Sequence, residues 1–196
     1  RFWWKKQRLA HGKLPNLSEL SCYFSHLKAI EQFLDDGDDY ALILEDDLTF
    51  DASIESLIQE SLKHKHSFDL FRLSGLHNGH PVNIVSLDDK HNLVCNLTRQ
   101  TGSGAHLLNR YAEKQMLKQL KPMWLPYDHT FGREWTFGVK TLFINPLPIL
   151  QNITPESQIN ATSDYKLPCL KRISVFSSDF IMKSLVLYLE HFKLLN

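Results

Sequence analysis

Three consecutive carboxylates, Glu45-Asp46-Asp47, directly follow a short apolar run at positions 40–44. A continuous apolar run of this length predicts a strand that is buried on both faces of a sheet. Carboxylates crowded at its end repel one another, and a divalent cation relieves that repulsion. Hard oxygen ligands suit Mg²⁺ or Mn²⁺, which commonly share their coordination with substrate phosphates. The triplet is therefore a candidate metal site, with a solvated acidic turn or helix N-terminus as the alternative.

The other groups of polar residues are weaker indicators of a functional site than the acidic triplet. Tyr127-Asp128-His129 brings a carboxylate and an imidazole together between prolines, where either a catalytic site or a capped turn fits. The histidines at 64–66 and 77–80 lack helical i, i+4 spacing and cysteine support, which favours loop residues. Gly102-Ser103-Gly104 resembles a phosphate loop, but no Lys-Ser/Thr pair follows, so we predict a tight backbone approach before a strand. Nucleophile-elbow, zinc-protease and dinucleotide-binding motifs are absent from the sequence.

The elements that must position these residues follow from hydrophobic periodicity. Ser18 is a plausible N-cap for a helix whose apolar face runs from Tyr23 to Leu34, and further helices are predicted at 54–62 and 111–120. Strands are predicted at 40–44, 68–73, 93–97, 105–108 and 139–144, with an irregular insertion at 76–92. Alternating strands and helices predict an α/β sheet with helices on both faces. In such sheets, ligands bind at the carboxyl ends of the strands.

Length and composition indicate one globular domain over residues 1–196, with a helical extension from about residue 165. Lys and Arg total 22 and Asp and Glu total 22, so the formal net charge is zero and we expect no nucleic-acid partner. Three scattered cysteines predict reduced thiols in a cytoplasmic protein. Residues 173–195 are apolar but broken by charges, which predicts a core helix, with a helix on a membrane surface as the alternative.

The order of the motifs along the chain carries more information than any one of them. The segment LSELSCYFSH at 17–26 precedes LILEDD at 42–47, and GSGAHLLNRYA follows at 102–112. PYDH stands at 126–129, and PLPILQ at 146–151 precedes Ser157. This series resembles glycosyltransferase family 25, the lipooligosaccharide galactosyl- and glucosyltransferases, to which collagen galactosyltransferases are related. The chain departs from the family pattern at Ser18 and Ser21, where glycine is usual, and at His106, where tyrosine is frequent. The family's upstream strand is almost wholly missing before Leu17, so we expect a truncated or replaced first segment.

The resemblance implies a GT-A-type fold, a Rossmann-like mixed sheet with helices on both faces that binds a nucleotide diphosphosugar. It implies that Asp47, supported by Glu45 or Asp46, holds Mn²⁺ or Mg²⁺ against the diphosphate of a UDP-hexose. The metal would neutralise the charge that grows on the departing UDP. Gln151 and Ser157 are candidate contacts to the donor phosphates, with ordinary loop hydrogen bonding as the alternative.

The resemblance also implies an inverting transfer of galactose or glucose to a hydroxyl group of a lipooligosaccharide or another glycan. That hydroxyl needs a general base, for which Asp128 is the candidate. His129 is a candidate metal ligand or acceptor contact. We expect the enzyme to work at the cytoplasmic face of a bacterial inner membrane, with peripheral contact through the aromatic, basic residues 1–6 and the apolar C-terminal segment.

Three other functions remain open from the sequence. A magnesium-dependent phosphoryl-transfer or hydrolase domain could use the same acidic strand end, although a convincing nucleophile or phosphate-binding lysine is missing. A signalling receiver domain also carries acidic strand ends, but it is usually shorter. A catalytically inactive or truncated relative would bind glycans or act as an assembly subunit.

Overall fold

The computed structural model describes residues 17–152 and residue 183. Four α-helices occur in this part of the chain: α1 (Leu17–Asp36), α2 (Ile54–Leu62), α3 (Arg110–Leu120) and α4 (Tyr127–Phe131). Eight strands accompany them: β1 (Tyr40–Leu44), β2 (Leu48–Thr49), β3 (Leu70–Arg72), β4 (Pro81–Ser86), β5 (Asn92–Asn96), β6 (Ala105–Asn109), β7 (Thr141–Asn145) and β8 (Leu150–Gln151). Short 3₁₀ turns lie at Lys65–Ser67 and Glu134–Phe137.

Six of the strands form one mixed sheet in the order β1-β6-β3-β7-β5-β4. The β3–β7 pair is parallel, and the other four neighbouring pairs are antiparallel. Strands β1, β3 and β7 consequently run in the same direction and end at the same edge. The small antiparallel pair of β2 and β8 joins this edge, with Leu48 opposite Gln151. The acidic triplet follows β1 at this edge, so its predicted position at a strand end is confirmed.

Helices cover both faces of the sheet, as predicted. On one face, α1 and α3 pack with Leu70, Leu108 and the residues around α4 in a core that includes Tyr23 and Ile30. On the other face, α2 packs through Leu57 against Phe71, Leu107 and neighbouring apolar residues. Adjacent residues of one strand point to opposite faces, so β3 and β6 each supply both cores. The mixed α/β class is confirmed.

Strand β1 lies at the edge of the sheet, so the prediction of a strand buried on both faces was wrong. It pairs with β6 alone in the described sheet, from Tyr40 opposite Asn109 to Leu44 opposite Ala105. Leu42 and Leu44 are 42% and 43% exposed, whereas their neighbour Ile43 packs against the α1 core. An apolar run alone does not separate a central strand from an edge strand that has one covered face.

Two further local predictions were wrong. Residues 76–92 are not an irregular insertion throughout, because β4 (Pro81–Ser86) forms an antiparallel hairpin with β5. Its Asn83 and Ser86 interrupt the apolar pattern that would have indicated a strand. Ser18 is not an N-cap, because it lies inside α1, which starts at Leu17. The remaining helix and strand predictions agree with the structure within a few residues, as is usual for element ends.

Gly102-Ser103-Gly104 approaches neighbouring backbone closely, as predicted. Gly102 has a positive φ of 95°, and a Cβ there would lie 3.2 Å from the backbone nitrogen of Leu76. A Cβ on Gly104 would lie 2.8 Å from Leu48 Cδ2. The two glycines therefore let the start of β6 pass between β2 and the segment after β3, which places Ser103 beside the acidic triplet.

The remaining regional predictions fall mostly outside the described residues. The predicted membrane contacts and the predicted phosphate contact cannot be compared with the structure. They fall on residues 1–6, on Ser157 and on residues 173–195, of which the structure describes Lys183 alone. Lys183 is helical and buried, and its Nζ donates to the backbone oxygen of Thr98, 3.1 Å away, and to Glu134. Among the described helices, none combines the length and apolarity needed to cross a membrane.

Candidate active site

Glu45 is the centre of a hydrogen-bond network at the end of β1. Its backbone N–H donates to the oxygen of Gly104 over 2.8 Å, which extends the β1–β6 pairing by one residue. Its carboxylate oxygen Oε1 accepts from Ser103 Oγ at 2.6 Å and lies 3.0 Å from His26 Nε2. The second oxygen, Oε2, accepts from Gln151 Nε2 at 3.2 Å. Donors from three distant chain segments thus converge on one carboxylate.

Asp47 shares the amide of Gln151 with Glu45 but keeps one oxygen free of described partners. Gln151 Nε2 donates to Asp47 Oδ2 over 3.0 Å, and the backbone N–H of Asn152 donates to the Asp47 backbone oxygen over 2.9 Å. Asp47 Oδ1 is buried and has no hydrogen-bond partner among residues 17–152 and 183. Asp46, between the two, is exposed. The three consecutive carboxylates therefore occupy three different environments.

The environment of Glu45 favours its ionised form. Burial raises the pKa of this carboxyl group, but the hydrogen bonds from His26 and Ser103, the charge of His26 and the amide of Gln151 together lower it below its ordinary value. An ionised carboxylate can only accept hydrogen bonds. The His26 contact therefore requires a proton on Nε2. Because the carboxylates of Glu45 and Asp47 lie together at this edge, the site favours a cation.

Helix α1 positions His26 against the aromatic ring of Tyr127. The two rings stack with centroids 3.8 Å apart and planes inclined by 7°. His26 is 6% exposed, and its Nδ1 has no hydrogen-bond partner among the described residues. Tyr127 lies at the start of α4, and its buried hydroxyl has no described partner either. Burial, followed by the charge of Glu45, raises the pKa of Tyr127 well above its ordinary value, so the phenol stays protonated.

Cys22 lies one helical turn before His26 and faces the same group of carboxylates. Burial raises the pKa of its thiol to about 12, with further contributions from the charges of Glu45, Asp128 and Asp47 in that order. These contributions place Asp128, in the first turn of α4, within electrostatic range of the same site. The carboxylates of β1 and α4 thus act on one region of the molecule.

Behind the site, a buried cationic group supports the loop that carries Ser103. Arg72, at the end of β3, is fully buried and donates from Nη1 to the oxygen of Gln100 over 2.9 Å and from Nη2 to the oxygen of Gly102. Its Nη1 lies 4.0 Å from Glu134 Oε2, while Lys183 bonds Glu134 Oε1. Burial lowers the pKa of Arg72 to about 10, despite the opposing charge of Glu134. Arg72 therefore remains charged at neutral pH and holds the backbone of Gln100 and Gly102 in place before β6.

His106 closes the inner wall of the site as a neutral imidazole. It is fully buried, and burial, with the nearby His26 and Arg72 charges, holds its pKa well below the ordinary value. Its Nδ1 lies 3.1 Å from the backbone oxygen of Ser103. The ring packs on Phe131 with centroids 4.5 Å apart. His106 therefore fills space and holds the Ser103 loop without adding charge.

The structure brings several of the predicted site residues together. Glu45, Asp47 and Gln151 form one hydrogen-bond network, and Asp128 lies within electrostatic range of it. Asp46 points away into solvent, and the backbone oxygen of His129 accepts from Arg133 Nη1 at 2.7 Å. The proposed roles of these residues, and of Ser157 outside the described part, stay predictions.

Sequence reasoning undervalued Cys22, His26, Ser103 and Tyr127. From the sequence, Cys22 is expected in the core, Ser25-His26 are expected to support helix–strand packing, and the glycine-flanked serine is expected to form part of a backbone approach. Cys22 and His26 do stand at i, i+4 on one helix face, a spacing that brings side chains together. Their convergence with Glu45 depends on how α1 crosses the end of β1, which no local pattern encodes.

The chain is a mixed α/β protein with helices on both faces of its sheet and a carboxylate centre where β1, β3 and β7 end. Strand ends of this kind are where α/β proteins commonly bind ligands. The sequence matches the family model described as glycosyltransferase family 25 (LPS biosynthesis protein) over residues 2–131. This match covers more than half of the chain, and the chain belongs to that family. It includes the acidic triplet, Ser103 and α4, while Gln151 lies beyond it. No curated protein matches the chain.

Proposed function

We propose that the chain transfers a hexose, galactose or glucose, from a UDP-sugar to a hydroxyl group of a growing lipooligosaccharide or another glycan, with inversion at the anomeric carbon. Family membership supports sugar transfer and an association with lipopolysaccharide biosynthesis. The GT-A architecture is part of this proposal, and the mixed sheet with its site at the strand ends is compatible with it. The donor sugar, the acceptor and the stereochemistry are proposed from the family resemblance.

The proposal rests on Asp47 Oδ1, which is buried and has no hydrogen-bond partner in the described part of the chain. Burying a carboxylate oxygen without a partner is costly, and a bound cation would remove that cost. Glu45, linked to Asp47 through Gln151, adds a second negative charge. The residues therefore fit Mn²⁺ or Mg²⁺, which Asp47 would hold with support from Glu45. When bound, the ion would neutralise charge on the leaving UDP diphosphate.

The neighbouring residues have distinct proposed tasks. Gln151 holds Asp47 and Glu45 in one orientation, which prepares the site before the donor arrives. Asp128 takes the proton from the acceptor hydroxyl as general base. Its electrostatic influence on Cys22, shared with Glu45 and Asp47, supports a position facing the donor site. The roles of His129 as a metal or acceptor contact and of Ser157 as a phosphate contact remain proposals.

Calorimetric titration of UDP and UDP-galactose, with and without Mn²⁺, tests the donor site. We expect metal-dependent binding that weakens at least tenfold in Asp47→Asn. Asp46→Asn is the matched control, because it removes the same charge one residue away from an exposed side chain. We expect it to weaken binding less than threefold. Equal weakening by both variants would mean that Asp47 contributes to binding only through its charge and does not hold the metal ion. Absence of metal-dependent binding in the wild type would favour the inactive, glycan-binding alternative.

The Asp128→Asn variant tests whether Asp128 acts as the general base or belongs to the donor site. If Asp128 acts on the acceptor hydroxyl, this variant should bind UDP and Mn²⁺ with wild-type affinity but lose about 10²–10⁴-fold in kcat. Asp46→Asn again serves as the charge control. A parallel loss of UDP affinity in Asp128→Asn would instead place this residue in the donor site.

A further inference from the structure

A second set of ligand-type side chains lies beside the Asp47 centre. Helix α1 carries Cys22 and His26 one turn apart, and Glu45 follows the neighbouring strand β1. The Cys22 Sγ, one ring nitrogen of His26 and one carboxylate oxygen of Glu45 all lie within 4.8 Å of one another. Two of the three residues come from a helix and the third from a strand end, so the backbone of regular elements fixes their spacing.

The distances and ligand types suit a tetrahedral cation with soft or borderline character. Zn²⁺ binds thiolate at about 2.3 Å and imidazole or carboxylate at about 2.0–2.2 Å. Two ligands about 2.05 Å from a tetrahedral ion are about 3.3 Å apart. His26 Nε2 and Glu45 Oε1 are 3.0 Å apart, so this pair needs little movement. One cysteine, one histidine and one carboxylate would leave a fourth position for water. This set differs from the all-oxygen surroundings that favour Mn²⁺ or Mg²⁺.

The local charges favour a cation at this position. Burial, followed by the charges of Glu45, Asp128 and Asp47, raises the pKa of the Cys22 thiol to about 12. The same negative charges attract a divalent ion. His26 is 6% exposed, and its Nε2 is held 3.0 Å from Glu45 Oε1, so the two proposed ligands already face each other. Cys22 is partly exposed, which leaves a route from solvent.

We propose that Cys22, His26 and Glu45 form a zinc-binding site, separate in ligand chemistry from the Asp47 centre. Binding converts the Cys22 thiol to a thiolate and releases its proton to the buffer, and His26 gives up the proton on Nε2 and carries its imidazole proton on Nδ1, so that the Nε2 lone pair binds the ion. The Glu45 carboxylate exchanges its contact with His26 for the ion and keeps the hydrogen bonds from Ser103 and Gln151. The proposal does not depend on the sugar transfer, because it concerns the protein and the metal alone.

Cobalt substitution tests the thiolate ligand directly. Co²⁺ occupies zinc sites, and a cysteine thiolate bound to it produces a charge-transfer band in the near ultraviolet. We expect this band in the wild-type chain and its loss in Cys22→Ser. Cys95→Ser, on β5, and Cys169→Ser are matched controls that should retain the band. Absence of the band in the wild type, or its persistence in Cys22→Ser, would overturn the proposal.

Zinc affinity, measured by competition with a chromophoric chelator, tests the other two ligands. We expect His26→Gln and Glu45→Gln each to weaken Zn²⁺ binding at least tenfold, while Cys95→Ser changes it less than twofold. Asp47→Asn should keep the cobalt band even when it loses metal-dependent UDP binding, so failure of one site is distinguishable from failure of the other. Unchanged zinc affinity in both His26→Gln and Glu45→Gln would contradict the assigned ligand set.

A measurement on the wild-type chain avoids any dependence on the folding of variants. Maleimide alkylation, followed by mass spectrometry, reports the modification rate of each cysteine with and without Zn²⁺. We expect Zn²⁺ to slow the alkylation of Cys22 at least tenfold and to leave Cys95 within twofold of its metal-free rate. Equal rates at Cys22 with and without saturating Zn²⁺ would refute thiolate coordination.

Discussion

Replacing Gln151 by Glu converts the link between the two site carboxylates into a third negative charge. The amide nitrogen of Gln151 lies 3.2 Å from Glu45 Oε2 and 3.0 Å from Asp47 Oδ2. A glutamate of the same shape would put a carboxylate oxygen near that position. Two attractive contacts would become two repulsive ones, and the Gln151→Glu variant should be less stable in the absence of metal.

The expected loss follows from those two distances. Unit charges 3 Å apart repel by about 1.4 kcal/mol even at the dielectric constant of water, so two pairs give about 3 kcal/mol. The lost hydrogen bonds add to this value, while rotation of the partly exposed side chains reduces it. We expect a net loss of about 2–3 kcal/mol, which corresponds to about 4–12 °C in Tm for a chain of this size.

Thermal unfolding followed by circular dichroism, in the presence of a chelator, measures this effect. Gln151→Met is the matched control, because it removes the same hydrogen bonds without adding charge. At pH 8, the glutamate variant should unfold at a lower temperature than the methionine variant. The difference should shrink towards pH 4, where one of the crowded carboxyls is protonated. Mn²⁺ should restore more stability to the glutamate variant, because ligand that binds the folded state stabilises it. Equal and pH-independent losses in both variants would refute the electrostatic coupling of these carboxylates.

Three further perturbations test the packing around the site. His26→Phe preserves the aromatic stack but removes a hydrogen bond that lowers the pKa of Glu45, so it should reduce the free energy of unfolding at pH 7 by about 1–3 kcal/mol in urea titrations. Gly132→Ala places a Cβ 2.9 Å from a backbone oxygen and should cost about 1–3 kcal/mol in the same assay. Arg72→Met leaves Glu134 buried without this partner and should cost about 3–5 kcal/mol.

The His26→Phe prediction is checked by its pH dependence, and the other two are checked by control variants. The folded-state pKa of Glu45 lies below its unfolded value, so its stabilising contribution is present at neutral pH and is lost as the pH falls through the folded-state pKa. The difference between wild type and His26→Phe should therefore narrow below about pH 4.3. A Cβ on Gly138 would meet no atom of the described residues within 4 Å, so Gly138→Ala tests the cost of the positive φ there and should cost less than Gly132→Ala. Adding Glu134→Gln to Arg72→Met should deepen the loss, because the buried Lys183 would then lose its carboxylate partner. A constant His26→Phe difference across pH would contradict the Glu45 assignment.

The sequence was sufficient to predict most helices and strands, because their signals are local. The periodic apolar face of α1, the short run of β1 and the glycines before β6 each depend on neighbouring residues alone. Strand order is different, because it depends on pairings between distant segments. Nothing within residues 40–44 shows that this strand lies at the sheet edge. The β4 strand was missed because its polar residues resemble those of a loop.

The candidate site was predictable in part for the same reason. The acidic triplet and Gln151 were identified from their motifs, but the hydrogen bonds that join them span 104 and 106 residues. His26 was placed near the site only as a packing residue, although it contacts Glu45 directly. Arg72 illustrates the remaining difficulty. A lone arginine in a short strand predicts a surface position, yet this one is fully buried by contacts with distant segments.

The acidic triplet shows why adjacent residues of one type should not be treated as equivalent ligands. Asp46 and Asp47 lie in the turn between β1 and β2, where Asp46 is exposed while Glu45 and Asp47 both contact the amide of Gln151. The two inward carboxylates then differ in their partners: Glu45 has described hydrogen-bond donors at both oxygens, whereas Asp47 has one at Oδ2. A cation can approach Asp47 Oδ1 without displacing a described donor, but at Glu45 it must compete with existing hydrogen bonds. Asp47 is consequently the stronger candidate for a readily exchanged Mn²⁺ or Mg²⁺, whereas an ion at Glu45 must first displace the His26 contact, as the proposed zinc site requires.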